Sequence, residues 1–113
     1  MAIFREFFSG STDGTPIPIT STDSAGAQTI HTSSTRKGEI YLFIGNKSTA
    51  SVESWVELGD TVSPVRTLIS PSQGLIPILP GVPMRNGKVV KAYCSTVSTA
   101  ALFVVGWVNE LSS

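Results

Sequence analysis

Hydrophobic residues fall in short runs along this chain, and after residue 37 nearly all the runs read as strands. Glu39 to Ile44 is apolar on both faces, the pattern of a central strand covered on each side. Ser51 to Leu58 alternates, with Val52, Val56 and Leu58 on one face and Glu53, Trp55 and Glu57 on the other. Val62 to Ile69 is a further strand, broken at its start by Pro64, and Leu75 to Gly81 another. Val82–Arg85 and Lys88–Ser95 flank Asn86-Gly87, a strong hairpin signal. Leu102 to Asn109 closes the series and carries Phe103 and Trp107.

The first 37 residues have a different texture. Ile3, Phe4, Phe7 and Phe8 recur at i, i+1, i+4 and i+5, one face of a helix, although the same residues also suit an extended strand. Ten residues are too few for a helix that stands alone in water, so the segment must dock on its own domain or on a neighbour. Ser9 to Lys37 is poor in large apolar residues. Thr15-Pro16-Ile17-Pro18-Ile19 reads as an extended edge or arm, since two prolines remove ladder donors. Gln28 to Ser33 reads as a short strand anchored by Ile30. Turn signals every 8–14 residues with no long helix imply an all-β chain. The expected architecture is an antiparallel β-sandwich, jelly-roll or immunoglobulin-like, over 38–113, with an extended N-terminal arm and Ser/Thr-rich segment over 1–37.

Composition narrows the function classes. The 113 residues are 41% hydrophobic, and eight basic residues balance eight acidic ones. That is too apolar and too neutral for disorder, and offers no basic excess to release counterions from nucleic acid. One cysteine, Cys94, excludes an internal disulfide and reads as a small buried hydrophobe in a strand. The N-terminus lacks the basic and apolar regions of a signal peptide. The longest apolar run, Ala100 to Val108, is far shorter than the ~20 residues of a membrane-spanning helix. The chain therefore reads as a soluble product of the cytoplasm. Sixteen Ser and twelve Thr replace the missing charge, a surface that repels copies of itself less than a charged one.

Chemistry is sparse. One His and one Cys offer no tetrahedral metal set, and His31, in a Ser/Thr-rich stretch, reads as a solvated surface histidine. Glu53 and Glu57, four apart on a strand, lie about 13 Å from one another, too far for a paired acid and base. Gly81 to Lys88 has the wrong spacing for a phosphate loop, and no helix follows it. No catalytic residue, metal ligand or cofactor site is expected. Two aromatic features stand out: the Phe7-Phe8 segment, and Trp55 on the polar side of its strand, either a contact site or covered by residues 9–37.

The layout of residues 38–109 resembles small β-sandwich virion proteins of tailed bacteriophages, the class that includes capsid decoration (cement) proteins and head–tail or tail accessory proteins. The likeness rests on Gly38-Glu39-Ile40-Tyr41-Leu42-Phe43-Ile44-Gly45-Asn46-Lys47-Ser48, then Ile69 to Gly81, then Asn86 to Tyr93, and the closing Phe103-Val104-Val105-Gly106-Trp107-Val108. It implies a protein made in the host cytoplasm and carried on the capsid surface of the virion. Its partner would be the major capsid protein, and a homo-oligomer is expected, a trimer suiting local three-fold positions. No enzyme activity, nucleic acid, membrane or small-molecule substrate is implied. The expected contact residues are Ile3, Phe4, Phe7, Phe8, Ile17 and Ile19 of the arm, with Trp55. Removing residues 1–19 is expected to leave the sandwich folded. The alternative is a glycan-binding or accessory module of the phage tail or neck, with Trp55 as its aromatic platform.

Overall fold

Among the described residues the chain forms nine strands: β1 (Ala2–Glu6), β2 (Ile17–Pro18), β3 (Gln28–Thr32), β4 (Gly38–Asn46), β5 (Val52–Leu58), β6 (Val65–Ile69), β7 (Ile76–Met84), β8 (Val89–Cys94) and β9 (Leu102–Ser112). The computed structural model describes residues 2–97 and 101–112, and no helix occurs among them. Met1, where the expected arm begins, Ala100, where the longest apolar run begins, and Ser113 lie outside the described residues.

The strands form two antiparallel sheets. Sheet A runs β1-β9-β4-β7, with the two-residue β2 pairing β9 alongside β1 on the same edge; sheet B runs β3-β8-β5-β6. Along the described strands the chain passes from one sheet to the other at every connection but two, β1 to β2, which share an edge, and β5 to β6, which pair as a hairpin. Two four-stranded orders, 2-9-4-7 and 3-8-5-6, make this sandwich a jelly roll. An immunoglobulin-like sandwich would instead pair several consecutive strands within one sheet.

One residue pattern fills the space between the sheets. Ile40, Leu42 and Ile44 from β4, Leu102, Val104 and Val108 from β9, and Leu79 from β7 meet Ile30, Val52, Val56, Ile69, Val90, Ala92 and Cys94 from sheet B. Between Val104 and Val108 the inward position is Gly106. A Cβ there would stand 2.0 Å from the Tyr41 carbonyl oxygen and 2.8 Å from the Phe8 ring, so only glycine lets the ring seat against the strand. Asn46 pins the passage from β4 to β5: its Nδ2 donates to the carbonyls of Ala50 and Ile69, and its Oδ1 accepts from the Ser48 amide and hydroxyl.

Three expectations need correction. Residues 2–6 are a strand, not a helical face. The 11-residue β9 offers a long open edge, and a ladder there satisfies backbone groups that a short helix would leave bare. Nor are residues 2–37 separate from the sandwich: β1 and β2 complete sheet A, β3 completes sheet B, and Phe8, Ile17, Ile19 and Ile30 are core. Their large apolar residues are few but spaced to reach inward. Finally, Asn86-Gly87 makes a tight turn with both φ positive (63° and 74°), as a two-residue hairpin turn requires, yet the flanking β7 and β8 belong to opposite sheets. Asn86 N–H donates instead to the Ser34 carbonyl of the neighbouring β3–β4 loop.

Candidate functional site

Each sheet's outer face carries one tryptophan, and the registers give both the same company. On sheet B, Trp55 stands directly opposite Tyr93 on β8 and Arg66 on β6. The Trp55 and Tyr93 rings stack at 5.2 Å and 6° between planes, and the Arg66 guanidinium lies over the indole at 5.6 Å. Arg66 also ion-pairs with Glu53, and that hydrogen bond holds the Glu53 carboxyl below its ordinary range. On sheet A, Trp107 stands opposite Tyr41 on β4, stacked at 5.1 Å, with the Arg5 guanidinium from β1 over the ring at 5.0 Å. Arg5 Nε donates to Asn109 Oδ1. Both are Arg–Trp–Tyr ladders across three strands, in which neighbouring strands cover both indole faces. Cross-strand pairs of this kind contribute roughly 0.2–1 kcal/mol each.

The surroundings of the two ladders differ. Sheet B is polar around its ladder, with Glu53, Arg66 and Lys91. Sheet A is apolar. Phe43 meets Trp107 at 5.7 Å, Phe103 lies across Gly45, and Val105 sits between them on β9. Two hollows of about 520 and 440 Å³ flank Trp107. One is walled by Arg5, Glu6 and Phe7, the other by Phe43, Leu75 and Val105, and Gly14 and Gly106 line both. Arg5, Glu6, Phe7 and Leu75 are exposed, and Phe43, Val105 and Trp107 are half-buried. Soluble monomers rarely leave so continuous an apolar surface open.

Elsewhere, polar groups are tied into structure. A cleft of about 590 Å³ lies at one end of the sandwich among Lys37, Leu58, Gly59, Asp60, Pro83, Met84, Arg85 and Lys88. Asp60, its one carboxylate, accepts from the amides of Val62 and Ser63. Glu57 is 2% exposed because the β2–β3 loop lies over it: Ser24 Oγ donates to its Oε2 at 2.5 Å, while its Oε1 has no hydrogen-bond partner among the described residues. Among the described residues no three His, Cys, Asp or Glu side chains are grouped to hold a metal ion. Cys94 is buried, and desolvation pushes its thiol up.

His31 is not the solvated histidine its neighbours suggest. It is 8% exposed, beside Phe8, and its Nδ1 accepts the Ser9 amide at 3.0 Å. Burial lowers its pKa from the ordinary 6.5, against a smaller opposite pull from Glu110. Ser9 and Gly10 also bond Thr32 and Ile30, carrying the chain from the edge of sheet A to that of sheet B with Phe8 as the plug.

The expected contact residues therefore separate. Phe8, Ile17 and Ile19 fill the core and are not free to meet a partner. Trp55 is half-buried in its ladder, and the segment expected to cover it covers Glu57 instead. Ile3, Phe4 and Phe7 are 64%, 48% and 59% exposed. Sequence reasoning passed over Tyr41, Phe43, Val105 and Trp107. Their shared parity on two strands that looked apolar on both faces was the signal. The chain matches no known protein family, no curated protein and no solved structure.

Proposed function

We propose that this chain is a structural virion protein of a tailed phage, a capsid decoration protein that binds the outer shell through the outer face of sheet A. The observation that carries the reading is the apolar surface centred on Trp107, continuous from Phe7 through Val105 and Phe43 to Leu75. Such a surface suits association with protein, because rigid, partly buried aromatic residues give large contact area at small entropic cost. The resemblance of residues 38–109 to phage virion proteins supports the same reading. The rigid sandwich supplies shape, and repetition over a shell lets modest single contacts add up.

A glycan-binding role on tail or neck asks for an aromatic ring with an open face. Trp55 has Tyr93 against one face and Arg66 over the other, which weakens that alternative.

The test is binding of purified protein to undecorated shells. Leu75→Lys and Val105→Lys change outward side chains, so both variants are expected to keep the wild-type unfolding temperature within a few degrees. Each is expected to lower shell affinity at least tenfold. Full binding by both variants would overturn the assignment of this face.

A further inference from the structure

A sheet edge is an open template unless something blocks it, and three of the edges here are blocked. β7 carries Pro77, Pro80 and Pro83. The β3 edge is interrupted by a register shift between Thr29 and His31 and covered by Ser9 and Gly10. β6 is five residues long, with Pro64 before it and Pro71 two residues beyond, and its Arg66 is tied to Glu53. The β2 stretch alongside β1 contains Pro18. β1 has no proline, no bulge and no covering segment among the described residues, and it hydrogen-bonds β9 alone.

The backbone of β1 also fixes what would fit. Leu111 N–H points away from β1, donating to the Lys37 carbonyl on the β4 side. Ile3, the antiparallel partner of Leu111, therefore turns its own N–H and C=O outward, and by alternation so does Arg5. We propose that β1 pairs antiparallel with β1 of a second copy of this chain, about a two-fold axis at Phe4, joining two A sheets into one. In that register Ile3 meets the second copy's Arg5 through two hydrogen bonds, the symmetric pair adds two more, and Phe4 faces its counterpart at the axis. Sliding by one residue would put inward side chains opposite outward ones. Sliding by two toward the C-terminus would set Arg5 against Arg5; sliding by two the other way would lose a bonded pair within the strand. The favoured register is thus the one in which all outward-facing bonds are made and no like charges are directly opposed. The exposed side chains agree, since Ile3 and Phe4, open on opposite faces of β1, each gain a partner.

This pairing stands independently of the virion reading. Sedimentation of the purified chain across micromolar concentrations is expected to give a dimer. Ile3→Pro removes an N–H that β9 does not use, so it is expected to keep the fold and weaken dimerisation at least tenfold. At the axis the paired Cα atoms come within disulfide range, about 4.5 Å, so Phe4→Cys is expected to cross-link to itself under mild oxidation. Leu68→Cys on the β6 edge, where the native side chain is more exposed than Phe4 (60% against 48%), serves as the comparison and is expected to react far more slowly. A chain that stays monomeric, an oligomer indifferent to Ile3→Pro, or equal cross-linking of the two cysteine variants would overturn the proposal.

Discussion

At the scale of single residues, small steric and hydrogen-bonding facts decide which side chains are available. Phe7 and Phe8 are neighbours with opposite fates: Phe8 enters the core over Gly106, and Phe7 lies outside against Gly14. The two follow the end of β1 and point to opposite sides, whereas the helical spacing puts them on one face. His31 reads as solvated from its polar neighbours, because its burial comes from the chain crossing above it, which local polarity does not reveal. Its consequence is measurable. A histidine whose pKa is lowered on folding adds stability above the unfolded value of about 6.5, and that stability is lost as pH falls toward the folded value. The unfolding temperature of the wild-type chain is therefore expected to drop between pH 7.5 and 5.5. His31→Gln keeps an acceptor for the Ser9 amide without a titrating ring and is expected to flatten that slope. A wild-type curve flat over this range would contradict the buried, neutral imidazole.

At the scale of elements, the strands are legible in the sequence and their partners are not. The positions of β4 and β9 follow from continuous apolar runs and that of β5 from alternation, and the prolines of β2 mark it as an edge. Pairing depends on long-range register. Asn86-Gly87 gives the local geometry of a hairpin, but β7 finds its ladder on β4 and β8 finds its own on β3 and β5. The N-terminal segment was underestimated for a related reason: its few apolar residues lie far apart in sequence, and only the fold brings Phe8, Ile17 and Ile19 together. Deleting residues 1–19 is accordingly expected to abolish cooperative unfolding, since each large core side chain lost costs about 2–5 kcal/mol against a total near 5–15 kcal/mol. A truncated chain that unfolds cooperatively near the wild-type temperature would return the segment to the role of a detachable arm.

At the scale of the whole molecule, the jelly roll has two unlike outer faces built on the same ladder. Sheet B surrounds its tryptophan with charge, and sheet A surrounds its own with phenylalanine, valine and leucine. The sandwich was legible from evenly spaced strands. This difference between the faces was not, because it emerges only once the strands lie side by side. A chain with no net charge and a large apolar face is suited to work by contact, and the contact proposed above is with a capsid shell. The most direct test is a cryo-electron microscopy reconstruction of particles carrying the protein. A decoration protein is expected to give density at hundreds of repeated positions on the shell, with the Trp107 face of sheet A against the capsid. A few copies confined to the neck or tail, or a shell contact made by the Trp55 face, would contradict it.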